Sequence, residues 1–212
     1  MMRSATVSKL VFFVVALLIS SVCAALRGQV SDGTYTSPLN NFSVPVHRGL
    51  DGRMWAVEDQ GDENRGTVAF GEPFGGFESI FYLRLSAETL KIQNDPEKQR
   101  ANLKRFLSDG AMPNLFKPTS PGANVLHEEH IDAGDRNAYF AIVDLPGLST
   151  IFKGRDTKRG LLIFVKDAFI YMLSTGENPG LLDLQQPPKP LDKLRESERQ
   201  RLLLLKSRIT FK

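Results

Sequence analysis

The stretch that decides the fold is GLLIFV at 160–165, followed by Lys166-Asp167 and then AFIYML at 168–173. Two apolar runs of six, joined by a tight polar connection, read as two strands of a β-hairpin; each run is too short for a helix of ordinary length. Neither run alternates with polar residues, so both faces of each strand are buried. Strands of that kind sit centrally in a sheet covered on both sides. Working outward, Asn124 to Ile131 (NVLHEEHI) and Asn137 to Leu145 (NAYFAIVDL) form a second strand pair around the turn Asp132-Ala133-Gly134-Asp135. Pro146 to Thr157 reads as a loop, and Asn178 to Lys189 as a proline- and leucine-rich connection. Leu191 to about Lys206 predicts a terminal helix with Leu191, Leu194, Leu202 and Leu205 near one stripe. The four consecutive leucines 202–205 cover every side of a helical turn, so that turn is wedged deeply or meets something else.

The first half of the chain reads in a similar way. Ala25 to Gly33 is polar and reads as a loose leader. Phe42, Val44 and Val46 alternate with Ser43 and Pro45, which predicts a strand; its proline lacks a ladder donor and so favours an edge. Met54 to Val57 and Thr67 to Phe70 are further strands, with Gln60 to Arg65 as a polar turn. In the strand Ser79 to Leu85, Ile80 and Tyr82 share one face while Phe81, Leu83 and Leu85 share the other. The period then lengthens. Asn94 or Asp95 can cap a helix, Pro96 fits its first position, and Ala101, Leu103, Phe106 and Leu107 form its stripe. Gly110 reads as its stop, and the proline-containing Met112 to Gly122 as a long connection.

A β-rich block, a helix, a second β-rich block and a terminal helix predict an α+β fold, a mostly antiparallel sheet covered by a mid-chain and a C-terminal helix, in one domain over residues 34–212. Several features together resemble the Mog1/PsbP-like sandwiches. They are the opening Phe42-Ser43-Val44-Pro45, the mid-chain helix, the strand ending Ile131-Asp132-Ala133-Gly134, its partner beginning near Ala138, and the hairpin containing Ile170-Tyr171-Met172-Leu173. The resemblance covers roughly Thr34 to Phe211. It implies an α/β/α sandwich, and it assigns no binding residue.

Met1 to Lys9 is short and basic, Leu10 to Ile19 (LVFFVVALLI) is unbroken apolar sequence, and Ser20 to Ala24 ends in small residues. That layout predicts a secretory signal peptide over residues 1–24, cut between Ala24 and Ala25. The alternative is an uncleaved anchor, which would be the only membrane contact expected. Cys23 is the single cysteine, so the mature chain would contain none and no disulfide framework. The chain has 27 Lys+Arg against 24 Asp+Glu; without Arg3 and Lys9 the balance is 25 against 24, a net of +1. Such a balance gives no electrostatic case for nucleic acid. Hydrophobic residues at 42% and charged residues at 24% are globular values.

The candidate site is His127-Glu128-Glu129-His130. Zincin chemistry needs two histidines four apart on one helix face. Here they are three apart on a strand, so 127 and 130 point to opposite faces, and the pairs to consider are His127 with Glu129 and Glu128 with His130. Two loops carry oxygen ligands for a hard cation: Asp132, Asp135 and Asn137, and Glu58, Asp59, Asp62, Glu63 and Asn64. Neither has the alternating calcium-loop pattern, and both compositions suit ordinary turns. There is no G-x-S-x-G elbow, no phosphate loop and no dinucleotide fingerprint; His47 is the one histidine left for a triad. Phe70, Phe74, Phe77 and Trp55 read as packing aromatics or a ligand-facing patch, and Asn41-Phe42-Ser43 is a glycosylation sequon. The terminal helix is cation-rich, which suits either a solvated face or contact with anionic lipid. No catalytic residue and no cofactor is assigned. The expectation is an exported binding or accessory module of the cell envelope, with an envelope protein as its partner. The alternatives are a metal-dependent hydrolase at 127–130, or a carrier of an apolar ligand between the sheet and the terminal helix.

Overall fold

The computed structural model describes residues 27–49, 52–71, 76–93, 95–133, 137–146, 158–177 and 189–212. The signal segment, its Ala24–Ala25 cut, Phe74, Gly134, Asp135 and the connections at 147–157 and 178–188 lie outside the described residues. The decisive hairpin forms as read. Strand β9 (Arg159–Lys166) pairs antiparallel with β10 (Phe169–Glu177) around Asp167-Ala168, and Asp167 takes the left-handed conformation at φ 53°. Aspartate tolerates that conformation better than most side chains. Every residue from Gly160 to Val165 is buried, as a centrally placed strand requires.

Around this hairpin a seven-stranded antiparallel sheet assembles in the order β4-β5-β6-β10-β9-β8-β7. The other five strands are β4 (Ala56–Gly61), β5 (Arg65–Gly71), β6 (Gly76–Arg84), β7 (Asn124–Asp132) and β8 (Asn137–Asp144). Both faces are covered. One carries α2 (Pro96–Arg105), capped by the Asp95 carboxylate, which accepts from the Glu97 and Lys98 amides. The other carries α3 (Leu191–Arg208) and a small antiparallel sheet in the order β1-β2-β3-β11. Its strands are β1 (Gln29–Ser31), β2 (Thr34–Thr36), β3 (Phe42–Pro45) and β11 (Thr210–Phe211). The α+β sandwich is thus set by the chain's own layers.

Each layer has its own apolar core. On the α2 side, Leu103, Leu107 and Met112 meet Tyr139, Leu161, Ile163 and Met172. On the α3 side, Leu194, Leu202 and Leu205 share a core with Phe42, Tyr82, Phe164 and Tyr171. The faces of β6 divide as read: Ile80 and Tyr82 join the α3-side core, while Phe81, Leu83 and Leu85 pack against the α2-side one.

Two readings need correction, and one short helix has no counterpart in the sequence reading. The mid-chain helix does not stop at Gly110; it continues as a π-helix from Phe106 to Phe116, so the segment read as connection from Met112 is still helical. The reason is the spacing of its core side chains. Leu103, Leu107, Met112 and Phe116 are four, five and four residues apart, too wide for 3.6 residues per turn but suited to the i→i+5 ladder. The Lys117 amide bonds to the Met112 carbonyl in that register. Next, the leader is not loose where it is described, because Gln29–Ser31 forms β1 and pairs with β2. Its turn, Asp32-Gly33, has positive φ at both residues (49° and 75°), the geometry of a two-residue hairpin. Last, a short helix α1 (Ala87–Ile92), capped by Ser86, stands between β6 and α2 and buries no residue.

Candidate functional site

The His127–His130 segment lies on β7, an edge strand, and the alternation of the strand splits it into two pairs. His127 is opposite Ile142 and Glu129 opposite Phe140, both members of the α3-side core. Glu128 is opposite Ala141 and His130 opposite Tyr139, both of the α2-side core. The two histidines therefore belong to different faces, as the spacing requires. On the α3 side, His127 Nε2 stands 3.3 Å from Glu129 Oε1, and Arg199 reaches the same oxygen at 3.8 Å. The contact is an ion-pair distance without hydrogen-bond alignment, which leaves His127 Nε2 and Glu129 Oε1 buried and formally unpaired. On the α2 side, Lys104 Nζ donates to Glu128 at 2.6 Å, and the His130 ring lies 4.7 Å from that of Tyr139. The Lys104 hydrogen bond, and after it the Tyr139 hydroxyl, hold the Glu128 carboxyl below the usual range. Burial, then the charges of Arg100 and Lys104, push the His130 imidazole below its ordinary value. Burial, then Glu128, push the Tyr139 phenol up. Among the described residues, no three His, Asp or Glu side chains gather as a metal-holding group.

A second polar assembly lies beneath α3, and the sequence did not reveal it. Phe70, Glu78, Thr175, Gly160, Ile142 and His127 stand in register across β5, β6, β10, β9, β8 and β7. Helix α3 crosses this row. Glu198, on the buried stripe of the helix, is 1% exposed, and its Oε2 accepts from the Thr175 hydroxyl at 2.6 Å. Arg201 donates to its other oxygen at 3.3 Å. Glycine at 160 makes room: a Cβ there would stand 2.7 Å from the Glu198 Cβ and 3.1 Å from Leu202 Cδ1. At the far end of α3, Arg208 donates to both Glu78 oxygens at 2.6 and 2.7 Å. The same guanidinium donates to His47 Nε2, and the His47 ring lies 5.0 Å from that of Trp55. A buried carboxylate needs both charge and hydrogen-bond partners; Glu78 and Glu198 each have an arginine. Among the described residues the partners of His47 are thus Arg208, Glu78 and Trp55, and none of them is the nucleophile of a triad.

The remaining sequence candidates fall into structural roles. Asp62 accepts from the Asn64 and Arg65 amides, which makes the acidic loop a side-chain-capped turn. Burial alone would raise the Asp62 carboxyl, but these amides and Arg65 hold it below the usual range. Asp59 accepts from the Tyr35 hydroxyl and the Gly28 amide, tying β4 to the small-sheet layer. Asn137 bridges Arg100 and Gln99 of α2. Phe70 is core, and the ring of Phe77 carries the Arg159 guanidinium at 4.7 Å. The sequon asparagine, Asn41, is buried; its amide nitrogen donates to Tyr171 and its oxygen accepts from Ser37. The apolar stripe of α3 packs on the sheet, and four of its six cations have partners there: Arg199 with Glu129, Lys206 with the Ala133 carbonyl, Arg208 with Glu78, and Arg201 with Glu198 of its own helix. Leu202 and Leu205 are fully buried in that contact, so an apolar ligand between helix and strands would have to lift α3.

No family model and no curated protein matches the chain. Among solved structures it is similar to the solution structure of cyanobacterial PsbP (CyanoP) from Synechocystis sp. PCC 6803, at 11% identity, over 92% of this chain and 99% of that one, with a TM-score of 0.46. The likeness concerns the fold.

Proposed function

We propose that the chain is an exported, non-enzymatic binding or accessory protein of the cell envelope, acting through its surface on a protein partner. The observation that carries this reading is how the polar side chains are used. Arg208 with Glu78, Thr175 with Glu198, and Lys104 with Glu128 each join one structural element to another. Groups committed in this way hold layers together, which is what a rigid binding body needs from them. The basic start followed by the apolar run Leu10 to Ile19 supports export. Crosslinking mass spectrometry in native envelopes, with blue-native electrophoresis of the extract, tests the proposal. The expected result is a crosslinked partner and migration above the monomer; a free monomer in the soluble cytosolic fraction refutes it.

One observation favours a second reading, a metal-dependent hydrolase at 127–130. His127 Nε2 and Glu129 Oε1 stand 3.3 Å apart, both buried and short of a full hydrogen bond. A cation could use both atoms, with water completing its shell. On that reading zinc raises the melting temperature of the wild type and not that of His127→Ala or Glu129→Ala. An equal response in all three excludes it.

A further inference from the structure

His47 sits where three parts of the molecule meet. It lies in the connection between β3 and β4, and its backbone carbonyl accepts from the Trp55 amide at 2.9 Å. Glu78 reaches it from β6, with Oε1 3.5 Å from Nε2. Arg208, the last residue of α3, donates from one guanidinium nitrogen to the same Nε2 and from another to Glu78. The Trp55 ring stands against the imidazole at 5.0 Å between centroids, tilted by 51°. In the same connection the charged Arg48 is turned to the Gly52 carbonyl. The imidazole is 39% exposed, so protons reach it, whereas Glu78 and Arg208 are 15% and 18% exposed.

An imidazole nitrogen that accepts from a guanidinium carries no proton of its own, because arginine can only donate. The geometry points to a proton-operated latch: His47 is held as the Nδ1–H tautomer by Arg208, and its protonation releases Arg208 from the ring. When Nε2 gains a proton it becomes a donor. The Arg208 hydrogen bond is then impossible, two cations face each other, and the new N–H has Glu78 as its acceptor. Glu78 is shared between His47 and Arg208, and the guanidinium loses one of its two anchors. The next residues after Arg208 lead directly into β11, where Thr210 and Phe211 pair with Ser43 and Phe42 of β3. The C-terminal strand is therefore the part of the fold that feels the proton.

The chain contains one tryptophan, Trp55, which makes the test simple. Nitrogen-15 NMR of the histidine rings at neutral pH should show His47 protonated at Nδ1. On acidification Trp55 emission should drop, because a protonated imidazole against the indole quenches it. Amide exchange at Lys212, whose N–H donates to the Asn41 carbonyl, corrected for its intrinsic pH dependence, should rise about tenfold, the scale of one lost hydrogen bond to a charged group. His47→Gln keeps an acceptor and removes the titration, so both transitions should vanish with the fold intact. An Nε2–H tautomer at neutral pH overturns the proposal. So does an emission and exchange profile that is flat in the wild type, or one that persists in His47→Gln.

Discussion

Replacing Gly160 by alanine should destabilise the protein far more than one methyl group suggests. A Cβ at 160 would lie 2.7 Å from the Glu198 Cβ, 3.0 Å from Glu198 Oε2 and 3.1 Å from Leu202 Cδ1. The first contact is the severe one. A Cβ has no torsion of its own, so Glu198 cannot swing that atom away, and α3 must rise from β9. Overpacking of this kind costs roughly 1–3 kcal/mol. Lifting the helix also stretches the 2.6 Å Thr175–Glu198 hydrogen bond, and bonds to charged groups contribute about 1.5–3 kcal/mol each. The two terms overlap, so the expected loss is about 2–4 kcal/mol. Gly110→Ala is the internal control, because its added Cβ meets only Phe106 Cδ2 at an ordinary 3.8 Å. There the residue lies within a helical segment, and alanine should stabilise by about 0.5–1 kcal/mol. Urea denaturation reads both as shifts of midpoint at unchanged m value. A Gly160→Ala protein within about 0.5 kcal/mol of wild type would refute the close seating of α3.

Three further outcomes follow from the same contacts. Lys104→Ala should return the Glu128 carboxyl toward its ordinary value, read by carboxyl NMR. Because the folded-state value is depressed, the contribution of Glu128 is present above the unfolded value near 4.3 and fades as pH falls through the folded one; for a pair this exposed it is under about 1 kcal/mol. All four tyrosines have raised phenols, mainly by burial, with Tyr82 pushed up to about 12. Their contribution is whole below about 10 and is lost as pH rises through the folded values, so ultraviolet titration should show phenolates appearing together with unfolding; independent ionisation of even one near 10 in the folded protein contradicts the packing. Asn41→Ala should cost about 1–3 kcal/mol in thermal or urea melts, since it strands the Ser37 and Tyr171 hydroxyls in the core, and the folded protein should resist glycosylation at this sequon.

How much of the fold the sequence discloses depends on what each segment buries. The β9–β10 hairpin and the two faces of β6 were legible because their apolar residues have a single consistent geometry. The π-helical segment is hidden from a reading against a 3.6-residue turn, in which Gly110 and Pro113 look like breakers. The four-five-four spacing from Leu103 to Phe116 is the signal that finds it. Strand β1 has three exposed residues and so no alternation to read. Its evidence was the turn: Asp-Gly between two short runs is a strong hairpin signal, and here both residues take positive φ. Helix α1 buries nothing, so only its Ser86 cap and Glu88 announced it.

The polar seam under α3 was harder to see, yet not invisible. Its partners are far apart in sequence, and a charged residue on a helix ordinarily reads as solvated. Glu198 breaks that expectation by position: Leu194, Glu198, Leu202 and Leu205 are spaced four, four and three, so the glutamate stands on the buried stripe. A carboxylate held there needs a donor and a place without a side chain. Gly160 is the one residue of the GLLIFV run with no side chain, and Thr175 is its register partner on the next strand. The three residues form one solution to one problem, which is how to seat a charge between a helix and a sheet. The same reasoning explains why 127–130 splits. A strand cannot bring both histidines to one face, so the edge gives one His–Glu pair to each layer, and each pair takes its cation from the helix on its own side, Arg199 of α3 or Lys104 of α2.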